Sequence, residues 1–155
     1  MFVTHASRFQ KPGDYRTFDM AGFSIIVILG KDKQLRVFHN VCRHRAYAVT
    51  KKEFGSSTVL GCRYHGWSYD TTGKLIKAPE FDKVPDFDKA MNGLWELETE
   101  VRDSMVFTNL DAGKQVKNFD LEGSEVSLAK WKASGMNCVA DWKVEGAFNW
   151  KVAGL

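Results

Sequence analysis

Two short segments of the chain each contain a cysteine and a histidine, and this pairing limits the possible fold more than any other feature. The first segment reads CRH and contains Cys42 and His44, and the second reads CRYH and contains Cys62 and His65. Seventeen residues separate them, and together they use two of the three cysteines and two of the four histidines. Because thiolates and imidazoles are good metal ligands, the pattern predicts one metal site shared by two loops.

Two kinds of metal site are compatible with these four ligands. Zinc fingers present a cysteine pair followed by a histidine pair, whereas each segment here supplies one of each. In a [2Fe–2S] cluster, one iron could bind both thiolates and the other iron both imidazoles. Gly61 and Gly66 would permit tight turns whose N–H groups point at the sulfur atoms. A zinc-stabilised module with no redox role is the alternative.

The first 109 residues predict a mainly β protein built from many short strands. The apolar stretch FSIIVIL, residues 23–29, is typical of a buried strand. The alternating stretch PGDYRTFDM, residues 12–20, precedes it across Ala21 and Gly22 and predicts its hairpin partner. Further strand-like runs cover residues 35–40, 58–61, 67–69, 94–101 and 105–110. The close spacing favours a small antiparallel sandwich or barrel.

Three stretches, PGDYRTF, VFHNVCRHR and CRYHGWSYDTTGKL, resemble the Rieske domain of Rieske-type non-haem iron oxygenases. These proteins are the large subunits of ring-hydroxylating and related oxygenases. The resemblance runs from about residue 12 to residue 75 and continues more weakly to about residue 109. It implies the Rieske [2Fe–2S] fold, with small antiparallel sheets and two cluster-binding loops that contain the ligands Cys42, His44, Cys62 and His65.

Two positions refine this resemblance. Ala46 stands where the family usually has glycine, and because alanine tolerates a positive φ poorly we expect at most a slightly altered turn and no loss of the cluster. Trp67 follows the His-Gly pair, where Rieske proteins of respiratory chains have serine and also an extra cysteine in each loop. With fewer hydrogen bonds to the cluster, we expect a potential of roughly −150 mV rather than +300 mV.

The resemblance also implies a role in electron transfer. A reductase or ferredoxin would supply electrons, and the domain would pass them to a mononuclear Fe(II) in a catalytic domain of the same or a neighbouring subunit. The parent protein would be a homo-oligomer such as a trimer. His65 would meet a bridging carboxylate, and Arg43, Arg45, Arg63 and Tyr64 would form the docking surface. A stand-alone Rieske ferredoxin that only carries electrons is the alternative.

The composition changes near residue 111, which predicts a Rieske domain over residues 1–115 followed by a linker and the truncated start of an α+β catalytic domain over residues 116–155. The sequence NWKV at residues 149–152 resembles the motif that precedes the two histidines and one carboxylate of the catalytic iron site. Those ligands would lie beyond Leu155. We therefore expect this chain to transfer electrons without being catalytic by itself.

Other features argue against several classes of protein. The net charge of +3 is spread over 22 basic and 19 acidic residues without a basic run, which gives no reason to expect nucleic-acid binding. The seven-residue apolar stretch is too short to span a membrane. An odd, low number of cysteines suggests an intracellular chain, which we expect to be cytoplasmic.

Cys138 is expected to be a core thiol, His39 a packed residue and His5 a surface residue.

Overall fold

The computed structural model describes residues 1–81, 83–111, 130–141 and 146–147 as three antiparallel sheets with short 3₁₀ turns. The strand orders are β1-β11-β10, β5-β2-β3-β4-β9 and β6-β7-β8. This confirms the predicted mainly β fold of small antiparallel sheets. The strands are β1 (Phe2–His5), β2 (Asp14–Met20), β3 (Phe23–Leu29), β4 (Leu35–His39), β5 (Phe54–Ser56), β6 (Val59–Gly61), β7 (Ser68–Asp70), β8 (Leu75–Lys77), β9 (Glu96–Leu97), β10 (Thr99–Arg102) and β11 (Met105–Thr108).

Strand β3 lies at the centre of the five-stranded sheet and is covered on both faces. Its residues 25–28 are fully buried, which explains why its sequence is continuously apolar rather than alternating. Ile26 and Ile28 belong to the core that contains both predicted cysteine ligands, whereas Ile25 and Val27 belong to a second core on the opposite face. The sheet therefore separates two apolar cores, one of which supports the predicted metal site.

The predicted hairpin of β2 and β3 is present, and its turn has a specific backbone conformation. Ala21 and Gly22 both have positive φ angles, 50° and 82°, as a two-residue type I′ turn requires. The pairing runs from Met20 opposite Phe23 to Tyr15 opposite Ile28. This register fixes which residues of β2 face the core beneath the metal site.

The predicted strand over residues 94–101 is divided between two sheets. Residues 96–97 form β9 at the edge of the five-stranded sheet, and residues 99–102 form β10 in a different sheet. The Oγ of Thr99 accepts a hydrogen bond from the backbone N–H of Val37 at 3.2 Å, and this bond joins the two sheets at the division. Alternation alone does not reveal this change of sheet, because both strands have the same period.

The described part of the C-terminal segment packs against the end of β1 and the 3₁₀ turn that follows it. Nε2 of His5 lies 3.1 Å from the carbonyl oxygen of Ala133, and the guanidinium of Arg8 lies 2.6 Å from the carboxylate of Asp141. The N–H of Cys138 donates to Oγ of Ser7 at 3.0 Å, and Cys138 is half-buried on this polar surface rather than in the core. The predicted boundary at residues 115–116, the NWKV motif and most of the predicted α+β segment lie outside the described residues.

In the described ranges, which omit residues 82, 112–129, 142–145 and 148–155, no helix has the length and apolar character needed to cross a bilayer.

Candidate metal centre

The two predicted cluster-binding loops, Cys42–Tyr47 after β4 and Cys62–Trp67 between β6 and β7, share one backbone design. In each loop the cysteine N–H donates to the carbonyl oxygen five residues later at 2.8 Å. In each, the N–H four residues later donates back to the cysteine carbonyl at 3.0 Å. The two loops are therefore equivalent tight turns, although their sequences differ.

The residue four positions after each cysteine has a left-handed backbone. Gly66 has φ 74° and Ala46 has φ 52°, so the alanine occupies a conformation that glycine adopts with less strain. Because both loops make the same pair of hydrogen bonds at the same distances, the alanine does not alter the turn. Alanine in place of the usual glycine therefore strains the backbone at Ala46 but leaves the shape of the loop unchanged.

The two cysteine ligands predicted from the sequence are buried side by side. Cys42 is 2% exposed and Cys62 is 3% exposed, and both belong to the same core cluster. Burial raises the pKa of the Cys62 thiol, the N–H groups of Tyr64 and His65 that point at its sulfur lower it, and the neighbouring Cys42 raises it. The expected N–H groups directed at a sulfur are therefore present in the second loop.

The two histidine ligands predicted from the sequence also lie together. The ring centroids of His44 and His65 are 4.6 Å apart, with one ring edge toward the face of the other. His44 is half-buried, and desolvation, followed by the proximity of His65 and Arg45, lowers its pKa. His65 is exposed to solvent. The two imidazoles thus differ in environment, and His65 is the one at the surface.

These four side chains have the donor chemistry that a [2Fe–2S] cluster with two unlike iron positions requires. They form one thiol pair and one imidazole pair rather than a single four-ligand shell. Within the part of the chain that the structure describes, no three His, Cys, Asp or Glu side chains are grouped around one point suited to a single metal ion. The residues present therefore fit the cluster.

Trp67 covers one face of the half-buried imidazole of His44. Its ring is stacked on His44 with a centroid distance of 5.0 Å and an interplanar angle of 13°. Phe81 and Phe87 contact the same indole edge-on at 5.2 Å and 5.6 Å. Trp67 is only 2% exposed, so shielding of the site and packing of the core are performed by the same ring. Its Nε1 is fully buried and has no hydrogen-bond partner among the described residues.

Tyr69 is a site residue that the sequence analysis missed. Its hydroxyl lies 3.3 Å from Sγ of Cys42 and accepts a hydrogen bond from the N–H of Arg43 at 3.1 Å. Desolvation raises the pKa of the Tyr69 hydroxyl far above its usual range, so it remains protonated and able to donate. A pattern in the sequence could have identified Tyr69. Side chains alternate between the two faces of a strand, so Tyr69 in β7 lies on the same face as Trp67.

Phe81 and Phe87 were also missed, because they lie in an irregular segment without a repeating pattern. The sequence does contain one sign of them, two phenylalanines in the charged and proline-containing stretch PEFDKVPDF, residues 79–87.

Among the expected docking residues, Arg45, Arg63 and Tyr64 are exposed. The fourth, the half-buried Arg43, has its guanidinium 3.9 Å from the Trp95 ring centroid and donates to a backbone carbonyl.

The two remaining histidines lie on β1 and β4. Nδ1 of His5 accepts a hydrogen bond from the N–H of Ser7, and its other ring nitrogen contacts the C-terminal segment. His39 is half-buried beside Phe23, at 5.9 Å between ring centroids. His39 therefore packs in the sheet as expected, whereas His5 is a bridging residue rather than a simple surface residue.

The sequence profile of the Rieske [2Fe-2S] domain matches residues 1–88. The chain therefore belongs to the Rieske [2Fe-2S] domain family, and its cofactor is the Rieske [2Fe–2S] cluster. This finding confirms the predicted fold and cofactor and decides against the zinc module.

Similar proteins with known activities are subunits of oxygenases. The oxygenase subunit of carnitine monooxygenase from Acinetobacter baumannii is 32% identical over 152 residues, which cover 97% of this chain and 41% of that subunit. The alpha subunit of 2-aminobenzenesulfonate 2,3-dioxygenase from Alcaligenes sp is 38% identical over 113 residues, which cover 71% of this chain and 29% of that subunit. The chain thus spans less than half the length of these relatives.

Solved structures agree with this grouping. The apo form of a quaternary ammonium Rieske monooxygenase superimposes with a TM-score of 0.76 at 34% identity, covering 84% of this chain and 38% of that one. Naphthalene 1,2-dioxygenase with bound indole superimposes with a TM-score of 0.68 at 31% identity, covering 74% of this chain and 26% of that one. This chain is therefore similar to the Rieske parts of both monooxygenases and dioxygenases.

Proposed function

We propose that Cys42 and Cys62 bind one iron of the cluster and that His44 and His65 bind the other. The observation that carries this assignment is the meeting of a buried thiol pair and an imidazole pair from two equivalent loops in a Rieske domain. When bound, the cluster supplies a centre that exchanges one electron at a time. The chain would relay electrons from a reductase or ferredoxin to the mononuclear non-haem iron of an oxygenase.

The side chains around the ligands support a directional role for the two imidazoles. Trp67 and Phe81 pack against His44 and exclude water from that side of the site. His65 is exposed, and the ring of Tyr64 lies 3.9 Å from it. A partner can therefore contact His65 directly, and we propose that electrons leave the domain at this imidazole, toward a carboxylate of the catalytic domain of the same or a neighbouring subunit.

An oxygenase role is favoured over that of a stand-alone ferredoxin. The similarity to carnitine monooxygenase oxygenase subunits extends over 97% of the chain, well beyond the residues that match the Rieske domain profile. A carrier consisting of a Rieske domain alone would have no reason to resemble an oxygenase in that further segment. The quaternary ammonium monooxygenases are therefore the first class of parent protein to test, before the arene dioxygenases.

The ligand assignment is tested on the purified full chain. We expect two irons and two acid-labile sulfides per chain, the absorption of a Rieske cluster, and uptake of one electron per chain in a reductive titration. Cys42→Ser and His44→Ala should lose the cluster, whereas Cys138→Ser should keep it because Cys138 lies in the C-terminal segment, apart from both loops. Bound zinc without sulfide, or a cluster retained in Cys42→Ser, would contradict the proposal.

The relay is tested separately from the ligand assignment. NADH together with the reductase of a Rieske monooxygenase system should bleach the visible absorption of the oxidised protein. His65→Cys and His44→Cys each replace one imidazole ligand by a thiolate. If electrons pass through the exposed imidazole, the rate of electron transfer should change more in His65→Cys than in His44→Cys. A reductase that never reduces an intact cluster would argue against a protein donor of this class.

A further inference from the structure

A cavity of about 310 Å³ opens beside the two cluster-binding loops, and the metal centre does not use it. Its wall is formed by the segment that follows the first loop, by strand β6, and by Arg63, which directly follows the ligand Cys62. The buried side chains of Val49 and Leu60 give it apolar surfaces. A space of this size with apolar walls accommodates a small organic molecule.

The charged residues that line this cavity are all cations. Lys51, Lys52 and Arg63 line it, and none of the described lining residues is an aspartate or a glutamate. None of these three cations forms an ion pair with a carboxylate in the described ranges, although Nζ of Lys51 lies 4.9 Å from the ring centroid of Tyr47. The cavity therefore has an unneutralised positive charge, which attracts anions.

Tyr15 also lines this cavity and has an accessible hydroxyl group. The residue is 7% exposed, and its hydroxyl makes no hydrogen bond to another described residue. The hydroxyl is held against Gly55, where an added Cβ would lie 2.6 Å from the phenolic oxygen. It is not among the fully sealed, unsatisfied polar atoms of the described chain, so it retains access to solvent. The hydroxyl therefore has no acceptor among the described residues and can donate a hydrogen bond to a molecule in the cavity.

We propose that this cavity binds a small organic acid, that is, a carboxylate carried on an apolar or aromatic body. Lys51, Lys52 and Arg63 would attract the carboxylate, and the Tyr15 hydroxyl would donate a hydrogen bond to it. The apolar walls formed by Val49 and Leu60 would contact the body of the acid. This site is distinct from the four cluster ligands, and the proposal does not depend on the path of the electrons.

Benzoate is a suitable probe because it combines a carboxylate with a flat apolar ring. We would titrate it by isothermal calorimetry into the purified full chain with its cluster bound, with benzyl alcohol as a neutral molecule of similar size. We expect one saturable benzoate site per chain and at least about tenfold weaker binding of benzyl alcohol, because the alcohol lacks the charge.

Matched variants assign the binding to named groups. Lys51→Gln combined with Lys52→Gln should weaken benzoate binding by about tenfold or more, and Tyr15→Phe should weaken it by about three- to tenfold. The same double change at Lys31 and Lys33, exposed in the β3–β4 turn, removes equal charge elsewhere and should leave binding unchanged. The circular dichroism melting curve and cluster absorption of each variant verify that the fold is intact.

Three outcomes would overturn the proposal. The first is the absence of saturable benzoate heat in the intact protein. The second is equal weakening by the Lys31 and Lys33 control, which would indicate a non-specific effect of net charge. The third is binding of a glutamate-rich peptide with no binding of benzoate, because the carboxylate would then belong to an acidic protein partner rather than to a small acid.

Discussion

The hydroxyl of Tyr69 lies 3.3 Å from Sγ of Cys42, while the N–H of Arg43 donates to the same hydroxyl. A hydroxyl that donates to a metal-bound thiolate stabilises the reduced, more negative form of a cluster and so raises its potential. Tyr69→Phe should therefore lower the midpoint potential. The expected decrease is about 40 mV for each kcal/mol of free energy by which the lost hydrogen bond stabilised the reduced form. A redox titration monitored by EPR measures the midpoint potential.

Tyr47→Phe is the matched control for this prediction. Tyr47 ends the first loop and is exposed, and its hydroxyl forms no hydrogen bond with the described residues. Its removal should leave the potential unchanged. An unchanged potential in Tyr69→Phe, with the cluster intact, would mean that the hydroxyl does not donate to the thiolate.

The equivalent positions Ala46 and Gly66 allow the strain of one loop to be measured against the other. Both have positive φ, but only alanine has a Cβ atom that disfavours this conformation. Ala46→Gly should therefore raise the free energy of unfolding by about 0.5–1 kcal/mol, which is a melting temperature higher by about 1–4 °C in a chain of this size. Differential scanning calorimetry of the cluster-bound protein measures the shift.

The reverse change in the second loop provides the complementary test. A Cβ atom on Gly66 would meet Cγ of Pro79 at 3.4 Å, an ordinary contact, so the effect of Gly66→Ala should come from the backbone alone. We expect a loss of about 0.5–1 kcal/mol, equal and opposite to the gain expected for Ala46→Gly. A higher melting temperature in Gly66→Ala, or a lower one in Ala46→Gly, would show that the two loops are not equivalent.

Two turn glycines separate backbone strain from overpacking. Gly22 and Gly73 have similar φ angles of 82° and 78°, but a Cβ on Gly22 meets nothing within 4 Å, whereas one on Gly73 lies 2.5 Å from the Phe38 ring. Phe38 is fully buried and cannot move aside easily. Gly73→Ala should therefore destabilise the protein by about 1–3 kcal/mol more than Gly22→Ala. Equal melting temperatures for the two variants would refute this packing argument.

Trp67 combines shielding with packing, and two substitutions distinguish these roles. Trp67→Ala removes the ring stacked on His44 and should destabilise the protein by about 3–5 kcal/mol. It should also accelerate loss of iron to a chelator, because water can then reach the imidazole. Trp67→Phe keeps an aromatic ring and removes the unpartnered Nε1, so it should retain the cluster with a smaller loss of stability. Equal iron-loss rates in both variants would contradict the shielding role.

Much of the fold could be predicted from local sequence patterns. The hairpin of β2 and β3 follows from an alternating run, a turn and a continuous apolar run, all within 18 residues. The split between β9 and β10 could not be predicted, because the alternation of residues 94–101 does not indicate that Glu98 lies between two sheets. The hydrogen bond from Val37 to Thr99 that marks the division joins residues 62 positions apart.

The sequence by itself determined the types and spacing of the four proposed cluster ligands, because each Cys–His pair lies within one short loop. Only the tertiary structure decided that His44 is covered while His65 is exposed, since Trp67 and Phe81 reach His44 from other segments. The Tyr69 hydroxyl and the cationic cavity at Tyr15 likewise depend on contacts between distant parts of the chain. Local spacing is encoded in adjacent residues, whereas burial and hydrogen-bond partners arise only when separate segments pack together.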